Sequence, residues 1–150
     1  MAGLNHTFHL LNVSEFAYKD YLKALRLQGG IEIYDDQLAY FADTLRWIPT
    51  YNPAREEPYQ GLCWFGPTVI KTEGASIARR IFQAWLDLFA NGPSILNLQG
   101  YMVLDDKGQA THERLEMRRD EIMSKLKTLA DWCQQVAESE DRYFIMHLGI

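Results

Sequence analysis

Apolar residues recur at helical spacing in four stretches of the chain. Leu115, Ile122, Leu126, Leu129, Cys133 and Val136 fall three, four or seven apart, so they share one face of a helix predicted from Thr111 or His112 to about Ser139. Glu113 and Glu116 favour its positive end, and Glu121 precedes Lys125 by one turn on its outer side. Ile77, Ile81, Trp85 and Leu88, widened by Phe82 and Phe89, predict a second helix from about Gly74 to Asn91, stopped by Gly92-Pro93. Ser14 caps a third over Glu15 to Gln28, with Phe16, Tyr18, Tyr21, Leu22 and Leu25 on its apolar side and Gly29-Gly30 as its stop. Asp35 or Asp36 caps a fourth over 36–48, carrying Leu38, Phe41, Leu45 and Ile48 and ended by Pro49.

Strand patterns are shorter. After a polar break at Glu138 to Arg142, the run Tyr143-Phe144-Ile145-Met146-His147-Leu148-Gly149-Ile150 asks for burial on both faces, which predicts a central strand. Ile31 to Tyr34 is a short strand, as are Gly61 to Phe65 and Thr68 to Ile70 around the bend at Gly66-Pro67. Ile95 to Leu98 and Tyr101 to Leu104 read as one bent strand broken near Gly100, followed by a turn at Asp105-Asp106-Lys107-Gly108. Part of residues 1–13, with Phe8, Leu10, Leu11 and Val13, forms another strand. Residues 49–60 hold three prolines and are expected to be a surface loop. The predicted fold is α+β (mixed α/β): about four amphipathic helices packed on a small mixed sheet, the C-terminal strand central, in one domain spanning 1–150.

Composition narrows the function classes. The net charge of −5 disfavours nucleic acid and is compatible with a basic protein partner. No basic start followed by an apolar core marks a signal peptide, and no apolar run reaches the roughly 18 residues of a membrane span. Cys63 and Cys133 match no metal or redox spacing and read as reduced thiols, so a cytoplasmic protein without membrane contact is expected.

Catalytic signatures are missing. The chain has no nucleophile elbow, phosphate loop, dinucleotide fingerprint or zinc-protease motif; after His112-Glu113 the second histidine of the last is absent, leaving His112 as a surface residue at a helix start. Cys63 lies within the apolar run Leu62 to Phe65 and reads as core, as does Cys133. His6 and His9 read as polar positions in a flexible start. His147 reads as a core residue that gains a role if the fold sets an acid such as Glu32 or Asp105 beside it. Asp105-Asp106 lacks the remaining spacing of a calcium loop. No metal and no cofactor are expected. Asp35, Asp36, Glu56 and Glu57 flank the fourth helix and the proline loop. With Trp47, Tyr51 and Tyr59 they make the best combination of aromatic anchors and acidic rim for binding a partner.

In size, acidity and lack of catalytic motifs the chain is similar to bacterial immunity proteins, a likeness of composition that transfers no residues. It implies a non-catalytic binding or inhibitor protein that sterically blocks a toxin-like partner. Two alternatives stand beside it. One is a small enzyme or ligand-binding domain with a pocket near the 49–60 loop, lined by Trp64, Tyr51 and His147. The other is a structural or assembly subunit, marked by an extensive apolar surface.

Overall fold

A computed structural model describes residues 4–150. The larger sheet has six strands in the order β2-β1-β8-β5-β3-β4. These are β1 (Asn5–Asn12), β2 (Ile31–Tyr34), β3 (Pro49–Asn52), β4 (Glu57–Gln60), β5 (Pro67–Ile70) and β8 (Tyr143–Leu148). A separate ribbon pairs β6 (Ile95–Leu104) with β7 (Ala110–Arg118). The long helices are α4 (Thr72–Phe89) and α5 (Arg119–Ala137); α1 (Tyr21–Ala24), α2 (Asp35–Tyr40) and α3 (Ala42–Leu45) are short.

This architecture corrects the expected four amphipathic helices on a small mixed sheet. Among the described residues five helices are present, only two of them long, and every neighbouring pair in the six-stranded sheet is antiparallel. The connectivity explains why. Helix α4 leaves β5 for the ribbon and α5 returns from the ribbon to β8. Neither long helix therefore closes a strand–helix–strand crossover within one sheet, the connection that makes parallel neighbours. Strand β8 lies inside the sheet between β1 and β5.

Five local expectations also change. Gly61 to Phe65, expected as strand, is a loop held by the Cys63 N–H donating to Thr68 Oγ1, and the strand begins only at Pro67. Residues 111–118 form β7, because Leu115 and Met117 are buried while Arg114, Glu116 and Arg118 between and beside them are exposed; this is a period of two, and the helix begins only at Arg119. The 15–28 stretch winds through turns with one helical turn at Tyr21–Ala24; Asp20 Oδ2 accepts from the Ala17 N–H at 2.8 Å, a local bond that competes with helix, and Leu22 and Leu25 are exposed. The 36–48 helix is split at Phe41, a fully buried ring at φ −115°. Residues 49–60 form the hairpin β3–β4: Pro49 opens a strand, Pro58 lies on the edge strand, and Asn52 Oδ1 accepts from the N–H groups of Ala54 and Arg55 in the turn.

The sheet buries both faces. Phe8, Ile33, Ile70 and Ile145 join residues of α2 to α5 and the ribbon, including Phe41, Phe82, Leu126, Leu129, Leu96 and Met117. On the other face Leu11, Val69, Phe144, Met146 and Leu148 pack with Ala24, under Phe16, Tyr18, Tyr21 and Tyr51. On α4 the inward face carries Ala75, Ala78 and Phe82, while Ile77 and Leu88 are exposed. Gly74 sits where a Cβ would overlap the Pro49 carbonyl oxygen, which brings α4 onto β3. No helix among the described residues is long and apolar enough to cross a membrane.

Candidate functional site

Antiparallel pairing sets Phe8 of β1 opposite His147 of β8, and Thr68 of β5 opposite His147 on its other side. His6, two residues before Phe8, shares that face of the sheet. The two imidazoles stack with centroids 5.1 Å apart, and His6 Nδ1 lies 2.9 Å from His147 Nε2. His6 Nε2 lies 2.9 Å from Oδ1 of Asp35, the first residue of α2, and Trp64 donates from Nε1 to the same oxygen at 2.7 Å. The Trp64 ring meets His6 edge-on at 4.4 Å. On the far side His147 Nδ1 is 3.4 Å from Thr68 Oγ1, which accepts from the Cys63 N–H at 2.7 Å.

Chain order assigns the protons. Asp35, as a carboxylate, accepts, so His6 carries hydrogen on Nε2. A neutral imidazole has one N–H, so His6 Nδ1 is the acceptor and His147 donates from Nε2. His147 Nδ1 then faces the Thr68 hydroxyl as an acceptor. Burial pushes His6 below the ordinary histidine value, partly offset by the Asp35 hydrogen bond and charge. Burial, and secondarily the neighbouring His6, holds His147 well below it. His6, Thr68 and His147 are fully buried, whereas the Asp35 side chain is 17% exposed. None of the three buried groups can touch a substrate in solvent. Cys133 is sealed in the core, where burial pushes its thiol up to about 12, and Cys63 is also a free thiol. Among the described residues no three His, Cys, Asp or Glu side chains are grouped as metal ligands.

Trp64 also faces outward. It lines an open cleft of about 900 Å³ with Leu45, Leu62, Cys63, Phe65, Tyr59 and Tyr101, with Asp43, Arg46, Arg55 and Gln60 contributing polar groups. Phe65 is 79% exposed. A smaller depression of about 230 Å³, between α2 and the ribbon, shares Ala39 and Tyr101 with the cleft and adds Asp36 and Tyr40. Burial raises the Tyr101 phenol, and the charges of Asp35 and Asp36 raise it further.

The seven expected partner-binding residues are divided among several surroundings. Asp35 is occupied by His6 and Trp64, while Asp36 borders the small depression. Tyr59 lines the cleft, and Trp47, 65% exposed, follows α3. Glu57 lies 3.8 Å from Arg55 on the hairpin. Tyr51 and Glu56 flank a separate hollow with Ala17, Tyr18 and Lys19, and Lys71 Nζ sits 4.5 Å from the Tyr51 ring centroid. The Tyr51, Trp64 and His147 pocket of the ligand-binding alternative is not formed as one: Trp64 lines the cleft, Tyr51 the hollow, and His147 is sealed. His6 is core rather than part of a flexible start, and His9 is buried on the sheet's opposite face. The acid that serves the histidines is Asp35, reached through His6, rather than Glu32 or Asp105. His112 is exposed on β7 and donates from Nδ1 to the Gly100 carbonyl at 3.1 Å. Comparison with known protein families, curated proteins and solved structures gave no match.

Proposed function

We propose that the protein is a non-catalytic protein-binding module of inhibitor or immunity type, which docks the cleft beside Trp64 onto a partner protein and blocks it sterically. The observation that carries this reading is an open, aromatic-lined cleft with an exposed Phe65 at its lip, set in front of a polar cluster whose histidines are sealed. Tryptophan, tyrosine and arginine are the side chains that dominate binding hot spots, and Trp64, Tyr59, Tyr101, Arg46 and Arg55 meet here. The chain's net charge of −5 favours encounter with a basic partner.

The test is reconstitution with a purified partner recovered from the native source. A one-to-one complex is expected, weakened about 30-fold or more by Phe65→Ala with Tyr101→Ala, the scale of a lost hot spot. The double variant should keep the wild-type thermal midpoint. An unchanged affinity would remove the cleft from the interface.

A second reading rests on size and charge. A 900 Å³ cleft with Arg46 and Arg55 on its wall has room for a small anionic ligand. Stabilisation by small anions, lost in Arg46→Ala with Arg55→Ala and unaccompanied by any protein partner, would favour it.

A further inference from the structure

We propose that His6, His147, Asp35 and Trp64 form a proton-operated latch, in which the pair accepts one proton with its contacts intact and a second proton drives the rings apart and frees the Trp64 side chain. That Trp64 lines a partner-binding cleft rests on the function proposed above; the latch itself does not.

The chemistry follows from the atoms that face one another. In the neutral state Trp64 Nε1–H and His6 Nε2–H both donate to Asp35 Oδ1, and His147 Nε2–H donates to His6 Nδ1. The first proton is accommodated on His6, which then donates to Asp35 and to His147. His147 moves its own hydrogen to Nδ1, facing Thr68 Oγ1. The His6 contacts persist, the Thr68 contact reverses direction with Oγ1 now accepting, and the new cation lies against a carboxylate. A second proton leaves N–H facing N–H across 2.9 Å with no lone pair between them. The rings must part, and the two protons bind in separate steps that belong to the pair.

The surroundings offer the second charge no relief. Asp35 of α2 is the acid in contact, with Asp36 and then Tyr101 of β6 beyond it. β5 brings the Thr68 hydroxyl, and the 61–66 loop brings the Cys63 backbone N–H bonded to it. β2 brings Ile33 opposite His6, with Glu32 directed to the opposite face opposite Thr7. His9 also occupies that opposite face. Phe8 and Trp64 supply rings at 4.9 Å from His147 and 4.4 Å from His6. The Trp64 backbone is clamped independently, its carbonyl accepting from the Ile150 N–H at 3.0 Å. The indole, held by Asp35 and the His6 ring, is therefore the part set free.

Both histidines are held below the ordinary value, so the unfolded chain binds protons more readily than the folded one. The histidines' share of the stability is full above about pH 6.5 and is lost progressively as pH falls from there through the depressed values. The unfolding constant rises by up to about tenfold per pH unit for each histidine kept neutral.

The experiment is ring-nitrogen NMR of the wild-type protein across the acid range, without any partner. Hydrogen on Nε2 of both histidines is expected at neutral pH. Two separated protonation steps should follow, with the Trp64 indole N–H signal shifting at the second. His147→Gln, whose amide can turn to donate or accept, should unfold with a pH dependence shallower by up to about tenfold per unit. Independent titration of both rings near the ordinary value would overturn the latch. So would rings that never titrate before global unfolding, an indole signal indifferent to the second step, or parallel pH profiles for wild type and variant. Loss of partner binding with this titration intact would count against the proposed function alone.

Discussion

At the scale of single residues, the 61–66 loop owes its position to Gly149. A Cβ there would overlap the Trp64 carbonyl, and the Gly149 N–H reaches the Gly66 carbonyl oxygen at 2.9 Å while Ile150 N–H reaches Trp64. Gly149→Ala is therefore expected to destabilise by about 1–3 kcal/mol, the usual cost of overpacking a site bounded by backbone. A lowered urea midpoint with an unchanged slope checks it. Trp64 stands between two roles at this scale: its indole edge donates to Asp35 and its surface lines the cleft.

Among the elements, the turn before β8 stores strain that can be removed. Glu140 and Asp141 occupy successive left-handed positions at φ 54° and 63°, and Asp141 accepts from Thr72 Oγ1 at 2.7 Å. Among the described residues the Glu140 side chain has no hydrogen-bond partner, so Glu140→Gly should stabilise by roughly 0.5–1 kcal/mol, glycine lacking the Cβ that disfavours this region. Calorimetry would show a raised midpoint; a fall would mean that the Glu140 side chain contributes more than its backbone costs. The elements also differ in how legible they are. Helix α5 could be read because Ile122, Leu126, Leu129, Cys133 and Val136 repeat over a long stretch, and all five are buried. Residues 111–118 were ambiguous because Leu115 lies seven before Ile122, a helical interval that also suits a strand alternating through Met117. The 15–28 segment was misleading in another way: its aromatics are pinned one at a time onto the sheet, with no shared helical face.

At the scale of the whole molecule, β8 joins both halves of the core. Ile145 belongs to the cluster under α4 and α5, while Phe144, Met146 and Leu148 belong to the cluster on the other face. It also hydrogen-bonds to β1 and β5 and so links the two halves of the sheet. Removing residues 144–150 is expected to abolish cooperative folding, leaving aggregated or unfolded chain with no sharp calorimetric transition. A soluble truncated protein that melts near the intact midpoint would show that the sheet closes without β8.

Residue order alone settled the points that depend on local periodicity and backbone chemistry. These are the buried stripe of α5, the bend of β6 at Gly100, the turns at Asp105 to Gly108 and after Ala137, and the demand of residues 143–148 for burial on both faces. Tertiary structure decided whatever depends on which segments meet. Pro58 fits a strand only because β4 is an edge, where a missing N–H leaves no neighbour unbonded. His6 and His147 lie 141 positions apart, and nothing local to either reports the other; the antiparallel register of β1 and β8 makes them a pair, and the start of α2 supplies the acid. The cleft arises likewise, from α2, α3, the 61–65 loop, the hairpin and the ribbon converging on Trp64. Periodicity records how a segment meets its surroundings. Only the folded chain determines which other segments those surroundings are.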